Sequence, residues 1–441
     1  MFKYFPHTEQ DILEMLSKIG VEKIEDLFSE IPDHIKVNKD FDLPNAMSEL
    51  EIRKYMKELS SKNQEFVSFL GAGSYDVYTP SVIGALTSRQ EFLTSYTPYQ
   101  PEISQGTLTY IFEFQSMICE MTGMDVSNAS VYDGATATAE AMFMAISQTK
   151  RNKVLISSAV NPRVTEVVKT YAKYRDIEVI LIDAVNYLTS KEDLLNKLND
   201  EVACVIIQNP NFFGSIEEAD EFDKLIHDNK SLYIMNVDPS TLSILRSPRE
   251  YGADIAVGDG QTLGIPLNFG GPYVGFMATT EKLIRKMPGR ICGMTNDVDG
   301  RRGFALTLQA REQHIRREKA NSNICSNQSL MALHTVIYTS LMGKLGLREV
   351  ALKAFNNTHY FKERLVATGK FEKNNNPEFF KEFVLKAKFD VEKFNKYCLD
   401  NGYLSGYHLG NNEIIFCATE VRSKNEIDDF VRLVEVYENV W

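Results

Sequence analysis

The sequence predicts an α/β protein that has a large, mainly parallel-sheet domain, a small C-terminal α/β domain and an N-terminal helical arm. Short apolar segments of strand composition alternate with amphipathic helical segments between residues 153 and 257, which is typical of βαβ units. The strand segments are apolar throughout, so we expect helices on both faces of the sheet. The chain has 441 residues, of which 44% are hydrophobic, and can therefore bury a large core. We place the three parts at residues 1–60, 61–345 and 346–441.

The arm is predicted to consist of three helical segments. Thr8 is a suitable N-cap for a helix over residues 9–18, and Gly20 is a suitable residue to end that helix. Residues 21–31 and 47–61 show similar helical spacing of their apolar residues. We therefore expect a helical segment that leads into the larger domain.

The large domain is predicted from five strand segments and the helices that accompany them. The strands are expected at residues 153–157, 178–182, 203–207, 232–237 and 255–257. The intervening helices are expected at residues 163–174, 190–199 and 217–229, and flanking helices at residues 137–147 and 328–342. This order of elements predicts a parallel sheet.

The small C-terminal domain is predicted as a second α/β unit. Helices are expected at residues 348–367, 391–401 and 424–437, and strands at residues 383–387 and 413–418. Ser423 precedes the last helix and is a suitable N-cap. Residues 373–376 form the only biased run in the chain and are predicted to be a surface loop.

Charge and composition exclude several classes of function. The net charge of −12 and the pI near 5.3 argue against nucleic acid or an anionic membrane surface as the main partner. No run of about 18 apolar residues is found, so no membrane span is expected. The N-terminus lacks the pattern of a signal peptide. The six cysteines are scattered and form no metal-binding motif, so we expect a cytoplasmic protein without a structural metal.

A turn at Asp133 and Gly134 opens an apolar helix in the stretch YDGATATAEAM. Free amides at the start of a helix attract anions, so Gly134, Ala135 and Thr136 could form a phosphate-binding cup. The alternative is an Asp cap on a close-packed, Ala-rich helix, and on a motif this short we favour the alternative.

Two further positions lie where α/β folds place ligand contacts, after the carboxyl ends of strands. Asp238 could pair with the ring nitrogen of a pyridine cofactor, or Asp238 and Pro239 could simply turn the chain. The stretch GDGQTLGIPLNFGGPYVGF resembles the loop that presents the Schiff-base lysine in pyridoxal-phosphate enzymes, but Gln261 stands where the lysine is wanted. A plain Gly-rich turn explains this stretch about as well.

A stiff polar loop, residues 95–106, contains two tyrosines, a carboxylate, two amides and two prolines. A loop that only connects two elements does not need so many polar side chains. We therefore slightly favour a role in a functional site over a solvent-exposed loop whose tyrosines pack on neighbouring helices. Glu102 could instead support the start of a helix near Gly106. In residues 309–320, His314 could be a base and Lys319 a displaced nucleophile, but a charged solvated helix is the favoured interpretation there.

Five long stretches carry the most specific pattern in the chain. They are FPHTEQDILEMLSKIGVEKIEDLF, TSYTPYQPEISQG, NASVYDGATATAEAM, GDGQTLGIPLNFGGPYVGF and PGRICGMTNDVDGRRGFALTLQAREQHIRREKANSNIC, and they span residues 5 to 325. Together they resemble the N-terminal half of glycine decarboxylase, the pyridoxal-phosphate P-protein of the glycine cleavage system. The resemblance implies a fold-type I pyridoxal-phosphate-dependent transferase-like fold.

In that family the protein is one long chain of two homologous halves or two separate subunits, and this chain resembles subunit 1, the alpha subunit of the split form. The resemblance implies that pyridoxal phosphate forms its Schiff base on the beta subunit, with Gln261 near the lost lysine position here. The complex would decarboxylate glycine and pass the aminomethyl group to the lipoyl arm of the H-protein.

By this resemblance, the chain completes the active site of the beta subunit. The expected catalytic residues are Tyr96, Tyr99, Glu102 and Gln105, and the residues of a degenerate cofactor cup are Gly134, Thr136, Asp238 and Gln261. No metal is expected. Asn161 stands where an aromatic or His side chain would stack on the cofactor ring, and this departure argues against cofactor binding by this chain alone.

Two other functions stay open on the sequence. The chain could be a self-sufficient pyridoxal-phosphate enzyme that uses Lys319 or another lysine. It could also be a non-catalytic scaffold that keeps the fold and binds only a partner.

Overall fold

The computed structural model describes residues 4–37, 39, 41–309, 312–320, 322, 324–372 and 377–438. The chain forms two compact units, Met1–Gln64 and Glu65–Trp441. The predicted boundary between residues 345 and 346 lies inside the second unit and stays a prediction. Residues 373–376, predicted as a surface loop, lie outside the described residues.

The first unit contains two α-helices, Glu9–Ile19 and Glu49–Ser60. The predicted caps of the first helix are confirmed, because Thr8 accepts a hydrogen bond from the Asp11 amide and Gly20 ends the helix in the left-handed conformation. The α-helix predicted over residues 21–31 is wrong, since the segment contains only the 3₁₀ turn Ile24–Phe28, and a second 3₁₀ turn, Asp33–Ile35, follows it. Short helices need tertiary packing, and Leu16 is the only buried residue described in this unit.

The second unit is built on a seven-stranded sheet. The strands, in spatial order, are Val126–Ser127, Gly275–Thr279, Ile255–Asp259, Leu232–Asn236, Val202–Gln208, Lys153–Ser157 and Glu178–Ile182. The five predicted strands are all present and run parallel to one another. The strand Gly275–Thr279, which the sequence analysis did not predict, pairs antiparallel with both of its neighbours.

Helices cover both faces of this sheet. They are Gln105–Thr122, Gly134–Thr149, Pro162–Ala172, Lys191–Lys197 and Phe222–Asp228. Alternate residues of a strand enter opposite cores: Leu155 and Val205 belong to one buried cluster, while Ile156 and Ile206 belong to the other. The prediction that the strands are buried on both faces is therefore confirmed.

The helices predicted at residues 328–342 and 348–367 form one long element, Ser329–Ala367, whose backbone is non-helical at Gly343 (φ 58°, ψ −174°). Among the described residues this helix alone has the length and apolar composition of a membrane span, a property that core helices of globular proteins share. Its first half buries Ala332, Val336 and Tyr338 in the core.

The C-terminal part contains a three-stranded antiparallel sheet in the order Glu382–Lys386, Glu413–Cys417 and Tyr407–Gly410. Helices Val391–Asp400 and Lys424–Val436 pack on it, and the predicted N-cap Ser423 accepts a hydrogen bond from the Glu426 amide. The remaining α-helices and strands are Val67–Ser68, Ser81–Thr87, Gln90–Leu93, Ala184–Val185, Leu188–Thr189, Ile291–Asn296, Arg302–Thr307, Gln313–Arg316 and Tyr403–Leu404.

His227 links the helix Phe222–Asp228 to the start of a sheet strand. Its Nδ1 lies 2.5 Å from Asp223 Oδ1 and its Nε2 lies 2.8 Å from Asp254 Oδ2. The hydrogen bond to Asp254, followed by the other contacts with the two carboxylates, raises the pKa of His227 from 6.5 to about 9.

Because the folded-state pKa of His227 is raised, its stabilising effect is complete below pH 6.5 and is lost as the pH rises through about 9. We expect the melting temperature of the wild type to fall more between pH 7 and 10 than that of His227→Gln. Thermal unfolding followed by circular dichroism across this range measures the difference. Parallel melting curves for the two proteins would contradict the assignment.

Candidate functional site

A cavity of about 270 Å³ opens at the carboxyl ends of the parallel strands. Residues that follow successive strands line it, which is where α/β folds bind ligands. The lining includes Asn161, Gln208, Asp238, Asp259 and Gln261, together with Gly134 at the start of a helix. The predicted cup residues Gly134, Asp238 and Gln261 therefore lie together in one cavity.

Two of the three amides predicted to bind phosphate, those of Gly134 and Thr136, donate to carboxylates of the same chain. Gly134 N–H donates to Asp259 Oδ2 at 3.0 Å, and Thr136 N–H donates to Asp133 Oδ1 at 2.7 Å. A Cβ placed on Gly134 would lie 2.7 Å from the Asp259 backbone nitrogen. The geometry therefore matches the alternative that the sequence left open, an Asp cap on a close-packed helix. Burial raises the pKa of Asp259 to about 7.

The Asp238 carboxylate is also fully engaged. Its Oδ1 accepts hydrogen bonds from Thr262 Oγ1 at 2.6 Å and from Ser240 N and Oγ at 3.0 and 2.8 Å. Its Oδ2 forms an ion pair with Lys381 Nζ. Burial by itself would raise the pKa of Asp238, but the Lys381 charge and these hydrogen bonds hold the pKa below its ordinary value. Asp238 is thus a paired carboxylate, not a free one.

Gln261 is buried and acts as a clamp on the backbone of Tyr75. Its Oε1 accepts from Tyr75 N–H at 3.0 Å, and its Nε2 donates to the carbonyl oxygens of Tyr75 and Ile265 at 2.8 and 2.7 Å. The side chain therefore satisfies three buried backbone groups. A lysine at this position could not accept the first of these hydrogen bonds.

Sequence reasoning missed Lys381, Glu382 and Tyr75. Tyr75 lines the cavity, while Lys381 and Glu382 line a smaller pocket beside it that shares Tyr75 and Asp238. Lys381 Nζ lies 3.7 Å from the centroid of the Tyr75 ring, and Tyr75 OH donates to Glu382 Oε2 at 2.8 Å. Glu382 Oε1 also accepts from Ala72 N–H at 2.6 Å. The available signal was two adjacent charges inside the apolar run FFKEFVL, because charged residues in a buried strand require partners.

These residues do not fit pyridoxal phosphate. The carboxylate that would meet the ring nitrogen holds Lys381, and the amide that would meet the phosphate holds Asp259. Asn161, at the expected ring-stacking position, instead donates from Nδ2 to the Ala72 carbonyl oxygen at 3.2 Å. Its Nδ2 would also lie 2.4 Å from a Cβ on Gly73.

The loop of residues 96–105 does not line this cavity. Within it, Tyr99 OH accepts from Arg290 Nη2 at 3.2 Å. Gln105 donates to the Phe304 carbonyl oxygen and accepts from Phe304 N–H, both at 2.9 Å. Tyr99 and Gln105 therefore attach the loop to the rest of the second unit.

Tyr96 and Glu102, the other two predicted catalytic residues of this loop, are exposed to solvent. Tyr96 is 87% exposed and Glu102 is exposed. Neither side chain makes a hydrogen bond or an ion pair within the part of the chain that the structure describes. Glu102 lies in the 3₁₀ turn Pro101–Ile103, just before the helix Gln105–Thr122, and its carboxylate accepts no capping hydrogen bond from the described N–H groups of that helix.

The segment of residues 309–320 forms the short helix Gln313–Arg316 and the 3₁₀ turn Arg317–Lys319, while residues 310 and 311 lie outside the described residues. His314 packs edge-on against Tyr99, with the ring centroids 6.3 Å apart. Lys319 is exposed and does not line the cavity. Among the described residues, no group of three or more His, Cys, Asp or Glu side chains is placed to hold a metal ion.

Comparison with known proteins identifies the family. The family model of the glycine cleavage system P-protein matches residues 2–434. A relative from Moorella thermoacetica, a probable glycine dehydrogenase (decarboxylating) subunit 1, is 50% identical over 434 residues, which cover 97% of this chain and 98% of the relative. A crystal structure of glycine decarboxylase (P-protein) of the glycine cleavage system, in inhibitor-bound form, is 40% identical and has a TM-score of 0.91, with 98% of this chain and 99% of that chain covered.

More distant structures share the fold alone. A C-DES variant with glycine covalently linked to its PLP cofactor has a TM-score of 0.63 at 12% identity, with 86% of this chain and 98% of that chain covered. These matches confirm the predicted fold-type I pyridoxal-phosphate-dependent transferase-like fold. The family model and the relative agree over nearly the whole chain. The chain belongs to the glycine cleavage system P-protein family.

Proposed function

We propose that this chain is the alpha subunit of a glycine decarboxylase and that it acts only together with a beta subunit. The complex decarboxylates glycine and transfers the aminomethyl group to the lipoyl arm of the H-protein. The observation that carries the proposal is a cofactor site without a lysine at position 261 and with its anchoring groups engaged, since Gln261 binds the backbone of Tyr75 and Lys381 pairs with Asp238. A chain with this site in a pyridoxal-phosphate family needs a partner that holds the cofactor on its own lysine.

This chain contributes the loop of residues 96–105 to the active site of the beta subunit. The loop is held in place by Tyr99 and Gln105, while Tyr96 and Glu102 project without partners in their own chain. Active sites at subunit interfaces require this combination of a fixed backbone and free polar groups. We also place the complex in the cytoplasm, in line with the free cysteines of this chain.

The test is to purify the chain with its beta subunit and to assay glycine–bicarbonate exchange with each chain omitted in turn. We expect exchange only when both chains are present. Exchange by this chain alone, with a borohydride-fixed imine on one of its lysines, would establish the self-sufficient enzyme instead. Full exchange by the beta subunit alone would reduce this chain to a scaffold.

A further inference from the structure

We propose that the chain's own charged groups take the two anchoring points of its cofactor site: the Lys381 ammonium holds Asp238 in place of the ring cation, and the Asp259 carboxyl group holds the Gly134 amide in place of the phosphate. The cavity is open but lacks both anchors for pyridoxal phosphate, and the Lys381–Asp238 pair becomes a structural link between the seven-stranded and the three-stranded sheet of the second unit. Both pairs are formed by the chain's own residues, whether or not the complex decarboxylates glycine.

The position of Lys381 is that of a bound cation. Its side chain is 7% exposed, its Nζ pairs with Asp238 Oδ2, and the Tyr75 ring centroid lies 3.7 Å from the ammonium. Ser240 Oγ, at 3.4 Å, is a further polar neighbour. An ammonium withdrawn from water is stable only with such a carboxylate and, here, an aromatic face. Lys381 is therefore held by two residues of the site, Asp238 and Tyr75, from the pocket beside the cavity.

Asp238 has no room for a second cation. Its Oδ1 already accepts three hydrogen bonds from Thr262 and Ser240, which leaves Oδ2 as the oxygen for a cation, and Lys381 holds it. A pyridinium placed there would meet a like charge at close range in a buried site, and such a contact is strongly unfavourable. Ring binding therefore requires Lys381 to leave.

At the opposite end of the cavity, a carboxyl group of the chain takes the place that a phosphate would take. The amide of Gly134 opens the helix Gly134–Thr149, where an anion is stabilised by the free amides, and Asp259 accepts that N–H at 3.0 Å. Asp133 accepts a hydrogen bond from the N–H of Thr136, two residues further along the helix. A phosphate at Gly134 would have to displace the Asp259 carboxyl group, and it would be repelled by Asp133 and by Asp259 in its ionised form.

The Lys381–Asp238 pair also joins two sheets. Asp238 follows the strand Leu232–Asn236 of the seven-stranded sheet, and Lys381 precedes the strand Glu382–Lys386 of the three-stranded sheet. Losing the ammonium leaves a buried carboxylate without its counterion, which destabilises a protein strongly. The link therefore depends on a cation at this point.

Chemical rescue tests this dependence in the complex with the beta subunit. Lys381→Ala removes a chain equivalent to n-propylammonium, so we expect a lower melting temperature that n-propylammonium restores saturably. Neutral n-propanol should not restore it. The matched control is Lys386→Ala, which removes a surface ion pair with Glu372 and should show no rescue. Failure of the amine to rescue Lys381→Ala, or equal rescue by propanol, would overturn the proposal.

A second variant keeps the test decisive if Lys381→Ala does not fold. Lys381→Met with Asp238→Asn removes both charges and should melt above Lys381→Met alone, because no unpaired buried charge remains. A double variant that melts no higher than Lys381→Met, or that also fails to fold, would refute the pairing.

The amount of bound pyridoxal phosphate tests whether this site excludes the cofactor. Bound pyridoxal phosphate per complex, measured by absorbance after denaturation, should not rise in the wild type as free cofactor is increased. In Lys381→Ala with Asp259→Asn, one further cofactor per alpha chain should bind, and n-propylammonium should compete with it. Extra cofactor bound to this chain in the wild type, or no extra cofactor in the double variant, would contradict the exclusion of pyridoxal phosphate from this site. These readouts stay independent of whether the complex decarboxylates glycine.

Discussion

Replacing Glu102 by Gln, in the complex with the beta subunit, is expected to lower the rate of glycine decarboxylation by a factor of about 10²–10³. The carboxylate is exposed and has no hydrogen-bond or ion-pair partner within the described part of its own chain, so its replacement breaks no such bond there. If it reaches the reacting glycine in the partner's active site, it can orient the amino group or carry a proton, and Gln can do neither in the same way. The effect should therefore be on rate and not on stability.

The measurement is the initial rate of decarboxylation, after assembly of the variant complex has been checked by sedimentation. Glu113→Gln is a matched control, because Glu113 is an exposed carboxylate on the adjacent helix Gln105–Thr122. Tyr96→Phe and Tyr99→Phe test the hydroxyl groups of the same loop. If all three loop variants assemble and react at close to the wild-type rate, the loop is structural and the scaffold hypothesis is favoured.

Replacing Gln261 by Lys is expected to lower the free energy of unfolding by about 3 kcal/mol or more and to produce no imine with pyridoxal phosphate. The Gln261 amide satisfies the N–H and carbonyl of Tyr75 and the carbonyl of Ile265. A lysine leaves at least the Tyr75 N–H unsatisfied, and each unmade buried hydrogen bond costs about 1–3 kcal/mol. The added ammonium would also be buried in a site that already holds Lys381.

Denaturant midpoints of wild type and variant measure the loss of stability, and borohydride reduction followed by peptide mapping detects any imine. Gln90→Lys is the matched control, since Gln90 is exposed on the short helix Gln90–Leu93 and should change stability by less than about 0.5 kcal/mol. A borohydride-fixed cofactor on the new lysine would show that the fold still accepts pyridoxal phosphate. An unchanged midpoint would show that the clamp contributes little.

How closely a predicted helix or strand matches the structure depends on the sequence pattern from which it was predicted. The strands Lys153–Ser157 and Glu178–Ile182 have the predicted bounds because each is an apolar run between polar turns. The strand Gly275–Thr279 was not predicted, since it follows a Gly-rich stretch and does not continue the βαβ pattern. It pairs antiparallel with the strand Ile255–Asp259. The helix predicted over residues 21–31 had a helical pattern, but no buried surface stabilises it.

The sequence by itself determined the family, the parallel α/β fold and the gathering of Gly134, Asp238 and Gln261 at one edge of the sheet. These follow from local patterns and from the rule that loops at the carboxyl ends of parallel strands meet. Only the tertiary structure decided what those residues contact. Lys381 and Tyr75 lie far from Asp238 along the chain, and no periodic pattern connects them. Which buried charge meets which depends on how two sheets pack, because a desolvated ion takes the partner that the fold brings within reach.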